Sequence, residues 1–154
     1  GRYRVCRADA ERIPVTLSDV NVLIYAFRPD APQHHSAKAW LHAVIAADAP
    51  FGVSRLALSA AVRIVTEPRA FKAPSSLAEA FAYCNNLLSQ PNCRIIEPGD
   101  RHWSIFQRLC VETGIRGRKT SDLWYAALAI EHDCEFITYD RDFAQFPGLR
   151  WRTP

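Results

Sequence analysis

The sequence predicts an α/β domain in which helices flank a central, mainly parallel sheet. Short apolar runs rich in β-branched residues recur along the chain, and such runs are typical of buried strands. Segments with apolar residues at helical spacing separate these runs, as expected when parallel strands are joined by helical crossovers. The 154 residues are enough for one domain with a buried core.

The first elements are predicted from residue 14 onward. Residues 1–13 are polar and basic without apolar periodicity, and they are predicted to be an extension or a remnant of an expression vector outside a single domain at 14–154. Residues 15–17 predict a buried strand, with Asp19 at or just past its end. The first helix is expected over residues 20–27.

Four helices and two short strands are predicted over the middle of the chain. Apolar spacing indicates a helix over 36–47 and a second one, stopped by Pro68, whose stripe is Leu56, Ala60, Arg63 and Ile64. Ser75 or Ser76 is expected to cap a helix that reaches residue 88, and Asp100 is expected to cap one over 101–112. Residues 50–53 and 93–96 predict the strands.

The last third of the chain predicts a basic loop, a helix and a strand. Residues 114–118 are rich in turn-forming and basic residues. The helix that begins near Ser121 has one apolar face, made of Leu123, Ala126, Ala127 and Ile130. Residues 135–138 predict the final buried strand, and Asp140 and Asp142 follow it.

Composition and charge restrict the function classes without selecting one. With 49% hydrophobic and 23% charged residues, the chain has the balance of a soluble globular protein. Its longest apolar run, residues 22–27, is too short for a bilayer, and no signal-peptide pattern is present, so a cytoplasmic protein without membrane contact is expected. Sixteen arginines against three lysines permit phosphate contacts, but a GC-rich genome explains the bias equally well. Five cysteines without a CxxC pair predict buried free thiols.

Three aspartates fall at comparable places in the predicted elements. Asp19 follows a strand, Asp122 opens a helix and Asp140 follows another strand. Each alone is explained as a helix cap or a favourable charge in a first helical turn. Together they are expected to converge, because binding sites in open α/β sheets lie beyond the carboxyl ends of the strands. Clustered carboxylates are usually compensated by a hard divalent cation such as Mg²⁺ or Mn²⁺.

Other chemistry has weaker support in the sequence. The histidines at 34, 35 and 42 lack a carboxylate or thiol at ligand spacing, so solvated side chains are expected there. Nucleophile elbows and phosphate-binding loops are absent from the sequence. Trp40, Trp103 and Trp151 are expected in the core or at an interface, whereas Trp124 and Tyr125, directly after Asp122, stay open between core and base stacking.

Five runs of the sequence resemble the VapC family, the PIN-domain toxins of bacterial toxin–antitoxin pairs. They are LSDVNVLIYAF at 17–27, LSAAVRIVTEPRAF at 58–71, PGDRHWSIFQRL at 98–109, SDLWYAALAIEH at 121–132 and FITYDRDFAQFPGL at 136–149. The runs at 58–71 and 98–109 are similar to the actinobacterial branch of that family, and the resemblance spans about residues 15 to 152 in order. The individual motifs DxN and TxDxDF are short, and it is their combination that carries the resemblance.

The resemblance implies a three-layer PIN-like fold and an endoribonuclease that requires Mg²⁺ or Mn²⁺. It also implies a homodimer that a cognate VapB-type antitoxin neutralises. Asp19, Asp122 and Asp140 match the first, third and fourth acids of the family. Asp142 matches an auxiliary acid at the metal, and Asn21 a polar residue that orients a carboxylate or a metal-bound water.

The chain departs from the resemblance at the second acid. Many relatives carry a glutamate in the helix at about the position of Ala60, and residues 58–63 hold no carboxylate here. Glu67 lies about two turns later and is expected to be exposed rather than a substitute.

The proposed reaction is metal-assisted hydrolysis of RNA phosphodiester bonds, with Arg116, Arg118 and Lys119 as candidates for holding the RNA backbone. A solvated basic loop explains those three equally well. The alternatives are a PIN-like protein that binds RNA or antitoxin without cutting and, more distantly, a haloacid-dehalogenase phosphatase. The latter requires a second aspartate where this chain has Asn21.

Overall fold

The structure, a computed structural model, describes residues 13–154. The extension predicted at residues 1–13 lies outside the described residues except for Ile13, whose side chain is exposed.

Five short strands form one sheet with order β3-β2-β1-β4-β5, and every neighbouring pair is parallel. The strands are β1 (Thr16–Ser18), β2 (Phe51–Val53), β3 (Cys93–Ile95), β4 (Glu135–Ile137) and β5 (Trp151–Arg152). The first four were predicted. Strand β5 was not predicted, because its two residues are too few to show a periodicity. They form a strand only because they pair with β4.

Six helices connect the strands: α1 (Val20–Phe27), α2 (His34–Ala46), α3 (Arg55–Val65), α4 (Leu77–Leu88), α5 (His102–Thr113) and α6 (Thr120–Glu131). Helix α1 packs against α2 and α3, α3 packs against α4, and α5 packs against α6. The helices therefore form two groups around the parallel sheet, which confirms the predicted three-layer α/β architecture. Across residues 13–154, no helix has both the length and the apolar character that a membrane crossing requires.

The order of the strands creates a switch point between β1 and β4. The chain runs outward from β1 to β2 and β3, then returns to lay β4 on the other side of β1. Ser18 and Ile137 are paired at the carboxyl ends of these two strands. In open α/β sheets this is where a ligand crevice forms, because consecutive crossovers leave in opposite directions.

The core is densest around helix α6. Leu123, Ala126, Ala127, Leu128 and Ala129 are fully buried. The three alanines have small side chains, which allows α6 to lie close to its neighbours β4 and α5. The single apolar face predicted for α6 is therefore narrower than its buried surface, because buried residues occur on almost every side of the helix.

Helix α3 buries a different stripe from the predicted one. Its buried side chains are Ala57, Leu58, Ala61 and Val65, whereas Leu56 of the predicted stripe is 49% exposed. The helix packs against α1 and α4, and these contacts select the buried face. The stripe with Ala60 and Arg63 faces outward and lines a cavity.

Helix α5 is not capped by Asp100, which corrects the prediction. The carboxylate of Glu131, at the end of α6, accepts hydrogen bonds from the amides of Gly99 (2.7 Å) and Arg101 (2.9 Å). Burial raises the pKa of Glu131, but these two amides and the charges of the neighbouring histidines outweigh it and hold the pKa below its usual value. A cap from a distant helix is invisible to local sequence patterns.

Cysteines and histidines carry no cross-link or metal cluster within residues 13–154. The four cysteines in this range are free thiols as predicted; Cys84 and Cys134 are buried, but Cys93 and Cys110 are only half-buried. His35 and His42 are exposed, and His34 is half-buried with Nδ1 2.8 Å from the Tyr25 carbonyl oxygen.

Candidate active site

Asp19 joins the end of β1 to the start of α1. Its amide donates to the carbonyl of Ile137 (2.8 Å), which extends the β1–β4 pairing by one residue. Its Oδ1 accepts from the Val20 amide (2.7 Å) and its Oδ2 from the Thr138 hydroxyl (2.6 Å). Asp19 is therefore both a helix cap and a buried carboxylate, only 8% exposed, at the switch point of the sheet.

Thr138, directly after β4, connects the polar residues of this edge. Its hydroxyl donates to Asp19 and accepts from the amide of Asp140 (3.0 Å) and from Nδ2 of Asn21 (3.3 Å). Asn21 Oδ1 in turn accepts from the amide of Tyr139 (3.4 Å). Thr138 is fully buried, and its hydroxyl joins the Asp19 carboxylate to the Asp140 amide, which fixes the two residues relative to each other.

Asp140 begins a short 3₁₀ helix, Arg141–Gln145. Its Oδ1 accepts from the Asp142 amide (2.9 Å), so Asp140 also serves as a cap. Phe143 anchors this turn in the core, with its ring 4.7 Å from that of Phe136 on β4. Burial of Phe143 therefore fixes the position of Asp140 at the end of the strand.

Asp122 completes the group from the first turn of α6. It lines a cavity of about 440 Å³ together with Asp19 and Asp140, and Asn21 belongs to the same wall. The hydrogen bonds and ion pairs found among residues 13–154 do not involve the Asp122 carboxylate, whereas the nearby Lys119 pairs with Asp142. The three aspartates therefore line one cavity, and their common role at a metal ion stays a prediction.

The electrostatics of this cavity disfavour three ionised acids. Burial raises the pKa of Asp19 to about 6, with smaller increases from Asp122 and Asp140, against the hydrogen bonds of Thr138 and Val20. Burial also raises the pKa of Asp122, as do the charges of Asp140 and Asp142, while Lys119 opposes the shift. A cation inside the cavity would relieve these costs.

The donor set fits a hard divalent cation that retains water. Asp122 has both oxygens free within the described residues, and Asp140 has Oδ2 free. Within residues 13–154, no three His, Cys, Asp or Glu side chains converge closely enough to form a complete ligand set. Mg²⁺ does not require one, because it binds through one or two carboxylates and fills its remaining positions with water and substrate phosphate.

Asp142 and the basic loop lie at the rim. Asp142 is exposed and does not line the cavity, and its Oδ2 is 3.9 Å from Nζ of Lys119. Arg118 lines a second cavity beside the first one. Arg116 is exposed and lines neither of these two cavities.

The outward stripe of α3 forms the opposite wall. Ala60 lines the cavity at the place where the resemblance implies a second acid, and Arg63 lies one turn further along the same wall. Glu67 is exposed beyond the end of α3, where its Oε1 accepts from the Arg69 amide (3.1 Å), and it does not line the cavity. Sequence reasoning gave no role to Arg63 or to Thr138, although Thr138 is the first residue of the TxDxDF motif and lies two residues before Asp140.

Comparison with known sequences identifies relatives over most of the chain. The PIN domain family matches residues 17–149. Ribonuclease VapC25 of Mycobacterium tuberculosis is 38% identical over 138 residues, which cover 90% of this chain and 97% of the relative. The VapC ribonuclease Mb2897 of Mycobacterium bovis is 36% identical over 136 residues, which cover 88% and 92%.

Solved structures share the fold at low sequence identity. VapBC2 from Rickettsia felis, bound to a DNA fragment from its promoter, superposes with a TM-score of 0.68 at 17% identity, covering 90% of this chain and 98% of that one. VapC20 of M. tuberculosis, a toxin that cleaves the sarcin–ricin loop, has a TM-score of 0.64 at 15% identity, covering 88% and 98%. These similarities confirm the three-layer architecture.

Proposed function

The chain belongs to the PIN-domain family, alongside the VapC ribonucleases, and on this premise we propose that it is the endoribonuclease toxin of a type II toxin–antitoxin pair. One observation carries the proposal: the carboxylates of Asp19, Asp122 and Asp140, from three separate elements, line a single cavity at the switch point of the sheet. This arrangement suits hydrolysis of a phosphodiester bond with a divalent cation.

Asp19, Asp122 and Asp140 would hold Mg²⁺ or Mn²⁺ directly or through water, and Asp142 contributes negative charge from the rim. When bound, the cation supplies a water of lowered pKa and neutralises charge that develops on the phosphate. Thr138 keeps the Asp19 carboxylate in place by donating to Oδ2, and Asn21 orients the Thr138 hydroxyl. The buried position of Asp19 excludes bulk water from one side of the site.

The basic residues beside the cavity suit a polyanionic substrate. Arg118 and Lys119 lie immediately before the first turn of α6, where a phosphate backbone that reaches Asp122 would pass. Arg116, two residues before Arg118, extends the same basic loop. Contacts of this type bind the backbone without reading sequence. They leave the choice of RNA to other surfaces.

The acid cavity also suits a protein inhibitor. An antitoxin segment with an arginine among the three acids would compensate their charge as a cation does. We include a VapB-type antitoxin, a homodimer and a cytoplasmic site of action in the proposal. Light scattering at micromolar concentrations tests the dimer, and a monomer throughout that range would exclude it.

The experiment that tests catalysis is a metal titration of RNA cleavage. The wild-type protein is expected to cleave mixed RNA in Mg²⁺ or Mn²⁺ and to stop in EDTA. Asp122→Asn should reduce the rate by at least ~100-fold, because a free ligand oxygen in the cavity is lost. Asp48→Asn is the matched control, since Asp48 is exposed and remote from the cavity lining.

A second candidate function follows from Ala60, which leaves the cavity wall without the family's second acid. In that case the protein binds RNA or antitoxin without cutting. RNA binding by the wild type with no metal-dependent cleavage would establish this alternative. Cleavage that survives Asp122→Asn would instead refute the assigned site.

A further inference from the structure

A second cavity of about 370 Å³, here called the lateral groove, adjoins the acid cavity. It lies between the outward stripe of α3 and the start of α6. The two cavities share four lining residues: Ala60, Arg63, Ser121 and Tyr125. An RNA chain with one phosphodiester at the acids can therefore reach this groove with a neighbouring nucleotide. The volume is within the range of small-ligand pockets.

The groove contains an aromatic ring held in a fixed orientation. Trp124 is half-buried and lines the groove, and its ring contacts that of His102 edge to face, with 4.5 Å between centroids. His102 also donates from Nε2 to the Trp124 carbonyl (2.9 Å). The centroid of the Tyr125 ring lies 5.6 Å from that of the Trp124 ring, and the two ring planes make an angle of 81°. A ring restrained in this way loses little conformational freedom when a base stacks on it.

Two guanidinium groups flank the same groove. Arg63 belongs to α3 and Arg118 to the turn before α6. Among residues 13–154, no carboxylate lies within 4.0 Å of either group, so both charges remain available to a ligand. Burial raises the pKa of Tyr125, and the charge of Asp19 adds to this rise while that of Arg63 opposes it.

Aromatic and cationic groups in one groove, continuous with the acids, are complementary to a nucleotide. We propose that the lateral groove binds an unpaired nucleotide next to the cleaved phosphodiester, with its base on Trp124 and a phosphate at Arg63. The inference rests on the proposed ribonuclease function and assigns one unpaired nucleotide of the substrate to Trp124 and Arg63. A paired base is already stacked within a duplex and cannot present its face to Trp124.

The test measures equilibrium binding of a fluorescein-labelled, single-stranded RNA octamer of mixed sequence. Fluorescence anisotropy is recorded in EDTA at several salt concentrations, and cleavage of the same octamer is then followed in Mg²⁺. The variants are Trp124→Leu, Trp124→Phe and Arg63→Gln. Arg94→Gln is the control for charge, because Arg94 is exposed on β3 and lines neither cavity.

Trp124→Leu is expected to raise the Kd roughly 5- to 150-fold, the range for loss of one stacked base, while Trp124→Phe keeps an aromatic face and binds within about 3-fold of wild type. Arg63→Gln should reduce the slope of log K against log salt by about 0.7, the value for one phosphate contact on a single strand. Trp124→Leu should leave that slope unchanged. Arg94→Gln should leave both the Kd and the slope unchanged.

The two failures are distinguishable. The groove assignment would be overturned if Trp124→Leu leaves the Kd unchanged and Arg63→Gln leaves the salt slope unchanged. If the wild type still cleaves RNA in that case, the nuclease proposal stands. The groove would then suit a protein partner. The expected binding losses without any wild-type cleavage in Mg²⁺ would support the groove and refute the nuclease. If Trp124→Leu does not fold, the salt slope of Arg63→Gln decides between these outcomes. A wild type that neither binds the RNA in EDTA nor cleaves it in Mg²⁺ would overturn both proposals.

Discussion

Replacement of Asp19 by asparagine should make the stability of the metal-free protein less sensitive to pH. Burial raises the pKa of Asp19 to about 6, from an ordinary value of 3.8. Between these two values the unfolded chain has lost the proton while the folded chain retains it. The folded state therefore binds more protons, and the stability of the wild type falls as pH rises through this window. Asparagine does not titrate, so this fall should disappear.

The size of the effect follows from the shift. A change of about 2.2 pKa units at about 1.36 kcal/mol per unit corresponds to about 3 kcal/mol, of which about 2 kcal/mol falls between pH 4.5 and 8. Asparagine has one acceptor oxygen where Asp19 uses two, so either the Val20 amide or the Thr138 hydroxyl loses its acceptor, at a cost of about 1–3 kcal/mol. That loss shifts the stability of the variant as a whole. The quantity to measure is therefore how the difference in unfolding free energy between variant and wild type changes with pH.

The assay is urea unfolding of wild type, Asp19→Asn and Asp48→Asn in EDTA from pH 4.5 to 8. The free energy of unfolding of Asp19→Asn, relative to wild type, should increase by about 2 kcal/mol over this range. Asp48→Asn should remain parallel to wild type, because Asp48 is exposed. Mg²⁺ at pH 8 should stabilise the wild type more than Asp19→Asn, since it binds only the folded site. A difference that is constant across pH would refute the claim that the Asp19 carboxylate is costly to ionise.

Three further predictions concern the cavity wall, a long-range cap and the sheet. Ala60→Glu should lower the Mg²⁺ concentration for half-maximal RNA cleavage by about 10-fold, because it adds a carboxylate to the cavity. Glu67→Gln should leave that concentration unchanged. The reverse result would assign the second acid to Glu67. Glu131→Gln should lower the free energy of unfolding at pH 7 by about 1–3 kcal/mol. In urea titrations this loss should become smaller below pH ~4.5, because the wild-type carboxyl, whose pKa is lowered in the folded state, then takes up its proton. Gly52→Ala should cost about 1–3 kcal/mol in the same assay, because the new Cβ would lie 2.9 Å from the Thr16 carbonyl oxygen of β1; a neutral substitution would show that the strands separate easily.

The parts of the site that could be predicted from the sequence are those fixed by strand ends. Asp19 and Asp140 follow parallel strands, and parallel strands that are neighbours bring their carboxyl ends together. The position of Ala60 on the cavity wall was also predictable, by resemblance, as the place of the absent second acid. These inferences need only the order of the elements and the direction of the strands.

The missed parts depend on packing between distant elements. The pairing of Glu131 with the start of α5 joins residues about thirty positions apart, so a local capping rule selected Asp100 instead. The buried stripe of α3 depends on where α1 and α4 lie, which helical periodicity does not specify. The lateral groove likewise exists only after α3 and α6 are placed side by side.

The two faces of α3 serve different properties, folding stability on one side and the chemistry of the cavities on the other, so substitutions can change them independently. Its buried stripe, with Ala57, Leu58 and Ala61, contributes to folding, whereas Ala60 and Arg63 line the two cavities. Substitutions at 60 and 63 can alter metal affinity or substrate preference at little cost in stability. Asp19 has no such freedom, because one carboxylate serves the cap, the Thr138 network and the acid cavity at once. Divergence among descendants of this sequence should therefore accumulate along the outward stripe of α3 while Asp19 stays constant.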